Sequence, residues 1–259
     1  MTTRALVTGA TSGLGRETAV QLARRGWRVA VSGRRADKLK EVAEAVKAAG
    51  GTPLELVGSV SDPKEVAAHY AKVKEAWGGL DYAVMNAGVG DRNDAREFKA
   101  SSVVWVFETN VFGVAYWLEA VLPDMVKQGS GTVAAVSSLA GFRGLPQSGA
   151  YSASKAAVNA LMESARVDLR GTGVTAVTVC PGFVRSELTD RNEAGSMPFL
   201  LETSDGVARM LAGIDAGRRV VHFPWQLSLL VIYVLHNLPG FLYDRLASRL
   251  RRPKKPPTQ

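Results

Sequence analysis

The chain has 259 residues, 46% of them hydrophobic, so it can bury the core of one large domain or two small ones. Its single cysteine, Cys180, excludes an internal disulfide and is typical of a reducing compartment. The net charge of +8 does not indicate a nucleic-acid-binding domain. Six basic residues and no acidic one lie between Arg245 and Gln259, which leaves only +2 on the rest of the chain.

The first elements are a strand, a glycine-rich turn, a helix and a second strand. Residues 4–8 predict a buried strand, and the turn that follows opens a helix reaching about Arg25. Residues 28–32 predict the next strand. This unit is typical of dinucleotide binding, because glycines let the backbone approach a pyrophosphate and a helix N-terminus supplies N–H donors. The phosphate contacts expected in the turn are Gly9, Thr11, Ser12, Gly13, Leu14 and Gly15.

The end of the second predicted strand bears on the choice of cofactor. A site that prefers NAD usually carries an acid there, which holds the ribose 2′-hydroxyl. Here Gly33 occupies that place and Arg34 follows it. A missing carboxylate and an added guanidinium suit a 2′-phosphate, so we expect NADP(H). The alternative is that Arg34 and Arg35 are solvated residues at the start of the next helix.

Strands and helices then alternate along the chain. The remaining predicted strands cover residues 53–57, 82–85, 132–136 and 174–179, and the helices cover 36–49, 63–77, 101–126 and 151–169. Continuous apolar strands between helices predict a parallel sheet covered on both faces. The fold class expected is α/β, with a single doubly wound, Rossmann-type domain over residues 1–223 and a helical extension over 224–259. Ligands of such a sheet bind at the C-terminal ends of its strands.

A tyrosine and a lysine share one face of the last of these helices. Tyr151 and Lys155 lie four residues apart, one helical turn from each other. An ammonium beside a phenol favours the phenolate, so it lowers the tyrosine pKa. Such a tyrosine can give a proton to a carbonyl oxygen and take it back. Taken alone, the pair fits better with a surface tyrosine stacked on a lysine stem.

Together, the motifs of this chain resemble those of the short-chain dehydrogenase/reductase family, from about Arg4 to Phe223. The matching residues, in the family's order and spacing, are Thr8-Gly9-x-x-x-Gly13-x-Gly15, Asn86-Ala87-Gly88, Asn110, Ser138, Tyr151-x-x-x-Lys155 and Pro181-Gly182. The resemblance implies catalytic roles for four residues. Tyr151 would be the general acid, Lys155 would lower its pKa and bind the nicotinamide ribose, and Ser138 would hold the substrate oxygen. Asn110 would join a proton relay through a kink in the long helix.

The resemblance also implies cofactor contacts beyond the glycine turn, with two departures from the family pattern. Ser59 stands where the family usually has an acid against the adenine, and Ser186 stands where it often has a threonine against the carboxamide. Asp62, before Pro63, is interpreted as the cap of the next helix. The further contacts expected are Ser59, Val60, Asn86, Ala87, Gly88, Tyr151, Lys155, Pro181, Gly182, Val184 and Ser186.

The substrate pocket is expected to be apolar. The segment after Ser138 supplies Leu139, Phe142, Leu145 and Pro146, with Arg143 as the nearby cation, and residues 185–203 are expected to form a mobile lid. These residues favour a bulky hydrophobic substrate; the alternative is that they pack on one another. No metal site is expected, because the three histidines, His69, His222 and His236, are scattered and interpreted as structural.

The C-terminal extension has a different character from the rest of the chain. Residues 225–238 carry no charge but are too few for a membrane span, which needs about 20 residues. A turn, the amphipathic residues 241–250 and a basic end follow, so residues 225–255 favour contact with a membrane surface. The alternative is packing on the chain's own domain or across a subunit interface. No apolar stretch at the N-terminus is long enough for a signal peptide, so we expect a cytoplasmic protein at the inner face of a membrane.

The function expected is an NADPH-dependent oxidoreductase that interconverts a ketone and a secondary alcohol on a hydrophobic, lipid-like substrate, working as a homodimer or homotetramer. The alternative is a nucleotide-binding sensor or scaffold that has the same fold without catalysis. The presence of Asn110, Ser138, Tyr151 and Lys155 together argues against the sensor. Nucleic acid is not expected as a partner, because the basic end lacks an aromatic residue for stacking.

Overall fold

The computed structural model describes residues 2–190 and 196–250, in which seven parallel strands form one sheet. The strand order is β3-β2-β1-β4-β5-β6-β7, which confirms the predicted doubly wound sheet. The order changes direction between β1 and β4, and this opens a crevice at the C-terminal edge. The strands are β1 (Arg4–Thr8), β2 (Arg28–Gly33), β3 (Thr52–Val57), β4 (Tyr82–Met85), β5 (Gly131–Val136), β6 (Val174–Pro181) and β7 (Val220–Phe223).

Helices connect the strands and cover both faces of the sheet. They are α1 (Gly13–Ala23), α2 (Ala36–Ala48), α3 (Pro63–Trp77), α4 (Ala100–Phe107), α5 (Gly113–Gln128), α6 (Gly149–Asp168), α7 (Thr203–Asp215), α8 (Trp225–Ser228) and α9 (Gly240–Ala247). Short 3₁₀ turns cover Ala95–Glu97, Leu139–Gly141 and Ser248–Leu250, and π-helical segments cover Glu108–Phe112 and Leu229–Leu235. The predicted helix over residues 101–126 is therefore interrupted by a π turn.

Alternate residues of the inner strands face opposite cores. Val7 of β1 packs in the core formed with α1, α2 and α7, whereas Leu6 packs in the core formed with α3 and α5, around the fully buried Trp117. Apolar burial on both sides fixes the sheet, so the loops at its C-terminal edge have a rigid base.

Two elements, α7 and β7, are absent from the sequence prediction. β7 is an edge strand of four residues that pairs with β6 on one side only. Val221 and Phe223 are buried while Val220 and His222 are exposed, so the strand lacks the continuous apolar pattern of its neighbours. Asp62 does cap α3, since its carboxylate accepts hydrogen bonds from the backbone of Lys64 and Glu65.

The C-terminal extension packs partly on the rest of the protein. Leu227, Ser228, Tyr243 and Ala247 are buried. In residues 2–190 and 196–250, no helix is both long and apolar enough to cross a membrane.

Two glycines in the turn between α6 and β6 offer a matched test of packing. Both have left-handed φ values, +82° at Gly171 and +80° at Gly173. A methyl group on Gly171 would meet nothing within 4 Å, whereas one on Gly173 would collide with the carbonyl oxygen of Gly129. We expect Gly171→Ala to cost about 1 kcal/mol of unfolding free energy from its φ alone. The added overlap should bring Gly173→Ala to about 3 kcal/mol. Urea unfolding followed by circular dichroism measures both, and equal losses would contradict the steric role of Gly173.

Candidate active site

The four predicted catalytic residues lie together at the C-terminal edge of the sheet. Tyr151 and Lys155 are in the first turns of α6, Ser138 follows β5, and Asn110 is in the π turn. The Ser138 hydroxyl lies close enough to the Tyr151 phenol to lower its pKa. A methyl group built on Gly88, after β4, would lie 3.4 Å from Lys155 Nζ and 3.5 Å from Asn110 Oδ1. Gly88 is thus the backbone position around which these polar groups gather.

Lys155 is a buried cation held by the sheet. The residue is 3% exposed, and its Nζ donates a 2.8 Å hydrogen bond to the carbonyl oxygen of Val136, the last residue of β5. Burial lowers the pKa of Lys155 to about 8, because the ammonium has lost hydration. The Cys180 thiol lies nearby, and burial raises its pKa to about 12. Lys155 is therefore mostly charged at neutral pH beside a neutral thiol.

Tyr151 does not have the lowered pKa that the sequence analysis expects. Burial raises the pKa of its phenol, and the nearby Ser138 hydroxyl lowers it by less. The ammonium of Lys155 lies 5.7 Å from the ring centroid and donates to Val136 instead. In the protein alone, the loss of hydration outweighs the effect of Ser138, so the phenol is protonated at neutral pH.

Asn110 acts here as a connector between two segments. Its fully buried amide accepts a 2.8 Å hydrogen bond from the N–H of Val89 and donates to the Val89 carbonyl at 2.9 Å and to Ser154 Oγ at 2.9 Å. The π turn directs this side chain inward from the middle of a long helix, and such turns are frequent at functional sites. Asn110 thereby holds the chain after Gly88 against α6.

The glycine turn has the form of an anion-binding site. Gly9 and Gly13 have φ values of +63° and +50°. A Cβ on Gly15 would overlap the carbonyl oxygen of Gly9, so the turn packs tightly against α1. Ser12 at the N-cap makes no side-chain capping bond within the described chain, and the first turn of α1 carries no acid. Its N–H groups are left to bind phosphate, so these residues fit a dinucleotide.

Asn86 and Thr8 fasten this turn to the neighbouring strand. The Thr8 hydroxyl accepts 3.0 Å hydrogen bonds from the backbone N–H groups of Asn86 and Ala87. The Asn86 amide donates to the carbonyl oxygens of Thr8 at 3.0 Å and Gly9 at 3.3 Å. Residues 86–88 therefore lie against the glycine turn, as expected for one side of a cofactor crevice.

Arg35, which follows β2, is absent from the cofactor contacts predicted from the sequence. Both Arg34 and Arg35 are exposed, and Arg34 has no hydrogen bond or ion pair with any residue that the structure describes. Arg35 donates to Thr11 Oγ1 at 2.9 Å and pairs with the Glu187 carboxylate at 3.1 Å. Arg35 is thus the guanidinium that lies over the glycine turn. The sequence feature that could have identified Arg35 is its position directly after Arg34.

A second residue absent from the sequence predictions is Glu65, in the first turn of α3, whose carboxylate contacts the loop after β3. Ser59 occupies the loop that follows this strand, and its backbone N–H donates to the Glu65 carboxylate from the first turn of α3. The Ser59 hydroxyl accepts a 3.1 Å hydrogen bond from the N–H of Ser61. Val60 packs against Gly113 at the start of α5. The family usually has an acid at position 59. Here the nearby carboxylate is that of Glu65, six residues later in the chain.

The residues after β6 form the opposite wall of the crevice. Pro181 ends the strand, and its carbonyl oxygen accepts a 3.4 Å hydrogen bond from Ser138. A Cβ on Gly13 would lie 3.0 Å from Ser186 Cβ, so Ser186 lies beside the glycine turn. Val184 is buried and bridges to Leu201. Gly182 packs against the C-terminal extension. Residues 191–195 of the expected lid lie outside the described residues, and its mobility remains a prediction.

The C-terminal extension packs against the expected substrate side of the crevice. Leu139, Cys180 and Leu227 form a small buried cluster, against which further apolar side chains pack: Phe142, Phe183, Val231 and Ile232. This cluster joins the segments after Ser138 and after Pro181 to the C-terminal extension. The apolar residues pack on one another and on the extension together.

Two of the three histidines, His69 and His236, have structural contacts. His69 Nε2 lies 3.1 Å from the carbonyl oxygen of Val57, and His236 Nδ1 lies 2.6 Å from that of Phe142. In the described part of the chain, no group of three or more His, Cys, Asp or Glu residues could hold a metal ion.

Comparison with known proteins agrees with this geometry. The sequence pattern of the short chain dehydrogenase family matches residues 3–196. An uncharacterized oxidoreductase of Myxococcus xanthus is 48% identical over 249 residues, covering 95% of this chain and 97% of the relative. A 3-oxoacyl-[acyl-carrier-protein] reductase of Staphylococcus aureus is 38% identical over 191 residues, covering 73% of this chain and 78% of its own.

Solved structures show the same architecture. A short-chain dehydrogenase/reductase from Burkholderia phymatum, in complex with NAD, superposes with a TM-score of 0.83 at 27% identity, covering 100% of this chain and 98% of that one. Levodione reductase superposes with a TM-score of 0.81 at 28% identity, covering 87% of this chain and 97% of that one. This chain belongs to the short-chain dehydrogenase/reductase family, whose members are oxidoreductases that use a nicotinamide cofactor.

Proposed function

We propose that this oxidoreductase interconverts a ketone and a secondary alcohol with NADP(H), and that Tyr151 is its general acid and base. The observation that carries the proposal is the cluster of Ser138, Tyr151 and Lys155 beside Gly88, where the crevice of the glycine turn ends. A nucleotide sensor would need the crevice but not a buried ammonium next to two hydroxyl groups. The cluster therefore favours catalysis over the sensor or scaffold.

The residues divide the proton chemistry among them. A bound nicotinamide supplies the hydride. Negative charge then develops on the substrate oxygen, where the hydroxyl groups of Ser138 and Tyr151 act as donors. Tyr151 gives up its proton, and the ammonium of Lys155 stabilises the phenolate that remains. Asn110 positions Val89 and α6 and, in this proposal, belongs to the relay that returns a proton to Tyr151.

NADP(H) is the proposed cofactor because two guanidinium groups follow β2 and no acid ends it. Arg35 already lies over Thr11, and Arg34 is exposed beside it. A 2′-phosphate can accept hydrogen bonds from both residues, since one guanidinium group can donate two parallel N–H bonds to phosphate oxygens. The remaining proposed contacts are those of the glycine turn, of Ser59 and Val60, of residues 86–88, and of Pro181, Gly182, Val184 and Ser186.

The proposed substrate is a hydrophobic, lipid-like ketone. The walls contributed by Leu139, Phe142 and Phe183 are apolar, and they continue into the C-terminal extension. The Staphylococcus aureus relative is a 3-oxoacyl-[acyl-carrier-protein] reductase. A 3-oxoacyl chain is one ketone of this chemical class.

The assembly and location proposed are a homodimer or homotetramer in the cytoplasm. Exposed apolar side chains on α4 and the π turn, Val104, Trp105 and Phe112, suit contact between subunits. We also propose that residues 1–223 form the catalytic domain and that residues 225–255 contact the inner face of a membrane.

The first test concerns Tyr151. We expect Tyr151→Phe to lower kcat for ketone reduction by at least about 100-fold, since it removes the proton donor. The affinity for NADPH should stay within a few-fold of the wild type. NADPH oxidation with a panel of aliphatic and 3-oxoacyl ketones measures turnover, and fluorescence titration measures binding. If the wild type binds NADPH but reduces no ketone, the sensor is the better function.

The second test uses pH. The pKa of Lys155 lies near 8, below its usual value, so its positive charge is present below pH 8 and is lost above it. The rate of ketone reduction at saturating NADPH should therefore be level to about pH 7 and fall above about pH 8. Lys155→Met should be slower and should lack this inflection. The same inflection in that variant would assign it to another group.

The third test addresses cofactor choice. Arg34→Ala and Arg35→Ala should each weaken NADPH binding about tenfold by removing a phosphate contact, and should leave NADH binding unchanged. Lys40→Ala, which changes an exposed cation on α2, is the matched control. Equal affinities of the wild type for NADPH and NADH would contradict the proposal.

A further inference from the structure

The C-terminal segment, defined here as residues 225–250, has two distinct faces. Its inner face, which includes Leu227 and Tyr243, is buried against the domain. Its outer face carries large apolar and aromatic side chains that are largely exposed, 62% for Trp225, 63% for Tyr233 and 73% for Phe241. Further exposed members of the outer face are Leu229, Leu230, Val234, Leu242, Leu246 and Leu250. So many exposed apolar side chains in one segment mark an interaction surface.

The charge next to this face is almost all positive. Asp244 is the single acid from residue 225 to residue 259, whereas Arg245 and Arg249 are followed by four more basic residues in the sequence beyond the described part. An apolar and aromatic face beside a basic end suits a surface of anionic headgroups over an acyl layer. A second copy of this chain docked on the same face would bring two identical basic ends together, which electrostatic repulsion disfavours.

The inner face holds the loop that carries the substrate side of the active site. Arg143 donates a 2.7 Å hydrogen bond to the carbonyl oxygen of His236, and its guanidinium stacks 4.2 Å from the ring centroid of Tyr243. The Tyr243 hydroxyl donates a 2.5 Å hydrogen bond to the carbonyl oxygen of Gly144. Residues 142–144, a few residues after Ser138, are therefore fastened to the segment whose other side is exposed.

We propose that the outer face of the C-terminal segment docks on a bilayer of anionic phospholipid and places the entrance of the substrate pocket at the lipid surface. The segment lies in the interface and does not cross the membrane. A hydrophobic ketone then reaches Tyr151 from the bilayer without passing through water. The substrate part of this inference rests on the proposed reductase function, whereas the docking surface stands independently of it.

The test uses the full-length protein and vesicles of phosphatidylcholine, with and without phosphatidylglycerol. We expect co-sedimentation with the anionic vesicles, weakened by high salt, and little with the neutral ones. Phe241→Ser should reduce binding about tenfold, and Phe98→Ser, which changes a phenylalanine that is 60% exposed elsewhere, should not. Arg245→Glu with Arg249→Glu should reduce binding at least tenfold, and the matched pair Lys64→Glu with Lys72→Glu should have little effect.

Three results would overturn the docking surface. The first is that the protein does not bind anionic vesicles, and the second is that the variants and their controls lose vesicle binding equally. The third is a change in oligomeric mass with Phe241→Ser, which would assign the face to contact between copies of the chain. Circular dichroism checks the fold of each variant. Tyr151→Phe should bind vesicles like the wild type. A failure of the docking proposal can therefore be distinguished from a failure of the proposed reductase function.

A kinetic measurement tests the entrance. The KM for a long-chain ketone supplied in anionic vesicles should rise several-fold in Phe241→Ser, while the KM for a short water-soluble ketone stays unchanged. If both KM values stay unchanged although vesicle binding is lost, the pocket does not open to the lipid.

Discussion

The ammonium of Lys155 is a charge inside the protein, and the geometry of the site follows from satisfying it. A buried cation is costly unless it has close acceptors, and here the carbonyl oxygen at the end of β5 is one. That hydrogen bond sets the height of α6 against the sheet, and Tyr151, one turn earlier, is placed by the same contact. Gly88 lies beside the ammonium, since a Cβ at this position would be in van der Waals contact with both Lys155 Nζ and Asn110 Oδ1. Sheet, helix and proton donor are therefore one mechanical unit.

On the expected cofactor side of the crevice, a few hydrogen bonds to backbone groups hold the glycine turn in place. Four hydrogen bonds hold the glycine turn against residues 86–88: the Thr8 hydroxyl accepts from the N–H groups of Asn86 and Ala87, and the Asn86 amide donates to the carbonyl oxygens of Thr8 and Gly9. Neither side chain has to reach the cofactor to be necessary for binding it. Because the glycine turn is held rigidly, the N-terminus of α1 faces the crevice. The conformational entropy of the turn is lost on folding, so cofactor binding does not have to order it.

Much of this could be predicted from the sequence, because buried parallel strands have continuous apolar runs and the polar motifs follow them directly. Ser138 comes directly after the end of β5, and Tyr151 and Lys155 share one face of the helix that follows, one turn apart. Arg35 and Glu65 could not be assigned in this way. Arg35 depends on which of two adjacent cations turns toward Thr11, and Glu65 reaches Ser59 across a helix cap. The pKa of Tyr151 was predicted in the wrong direction, because spacing reveals a neighbouring charge but not the loss of solvent.

Cys180 illustrates how burial changes the meaning of a residue. Its presence as a single cysteine suggested a reducing environment, yet the side chain is fully buried beside Lys155 and its pKa is raised to about 12. A neutral, enclosed thiol is a poor nucleophile and is protected from oxidants. The redox state of the surroundings therefore has little access to this sulfur. The proposed proton-transfer centre can therefore have a cysteine as its neighbour without becoming sensitive to oxidation.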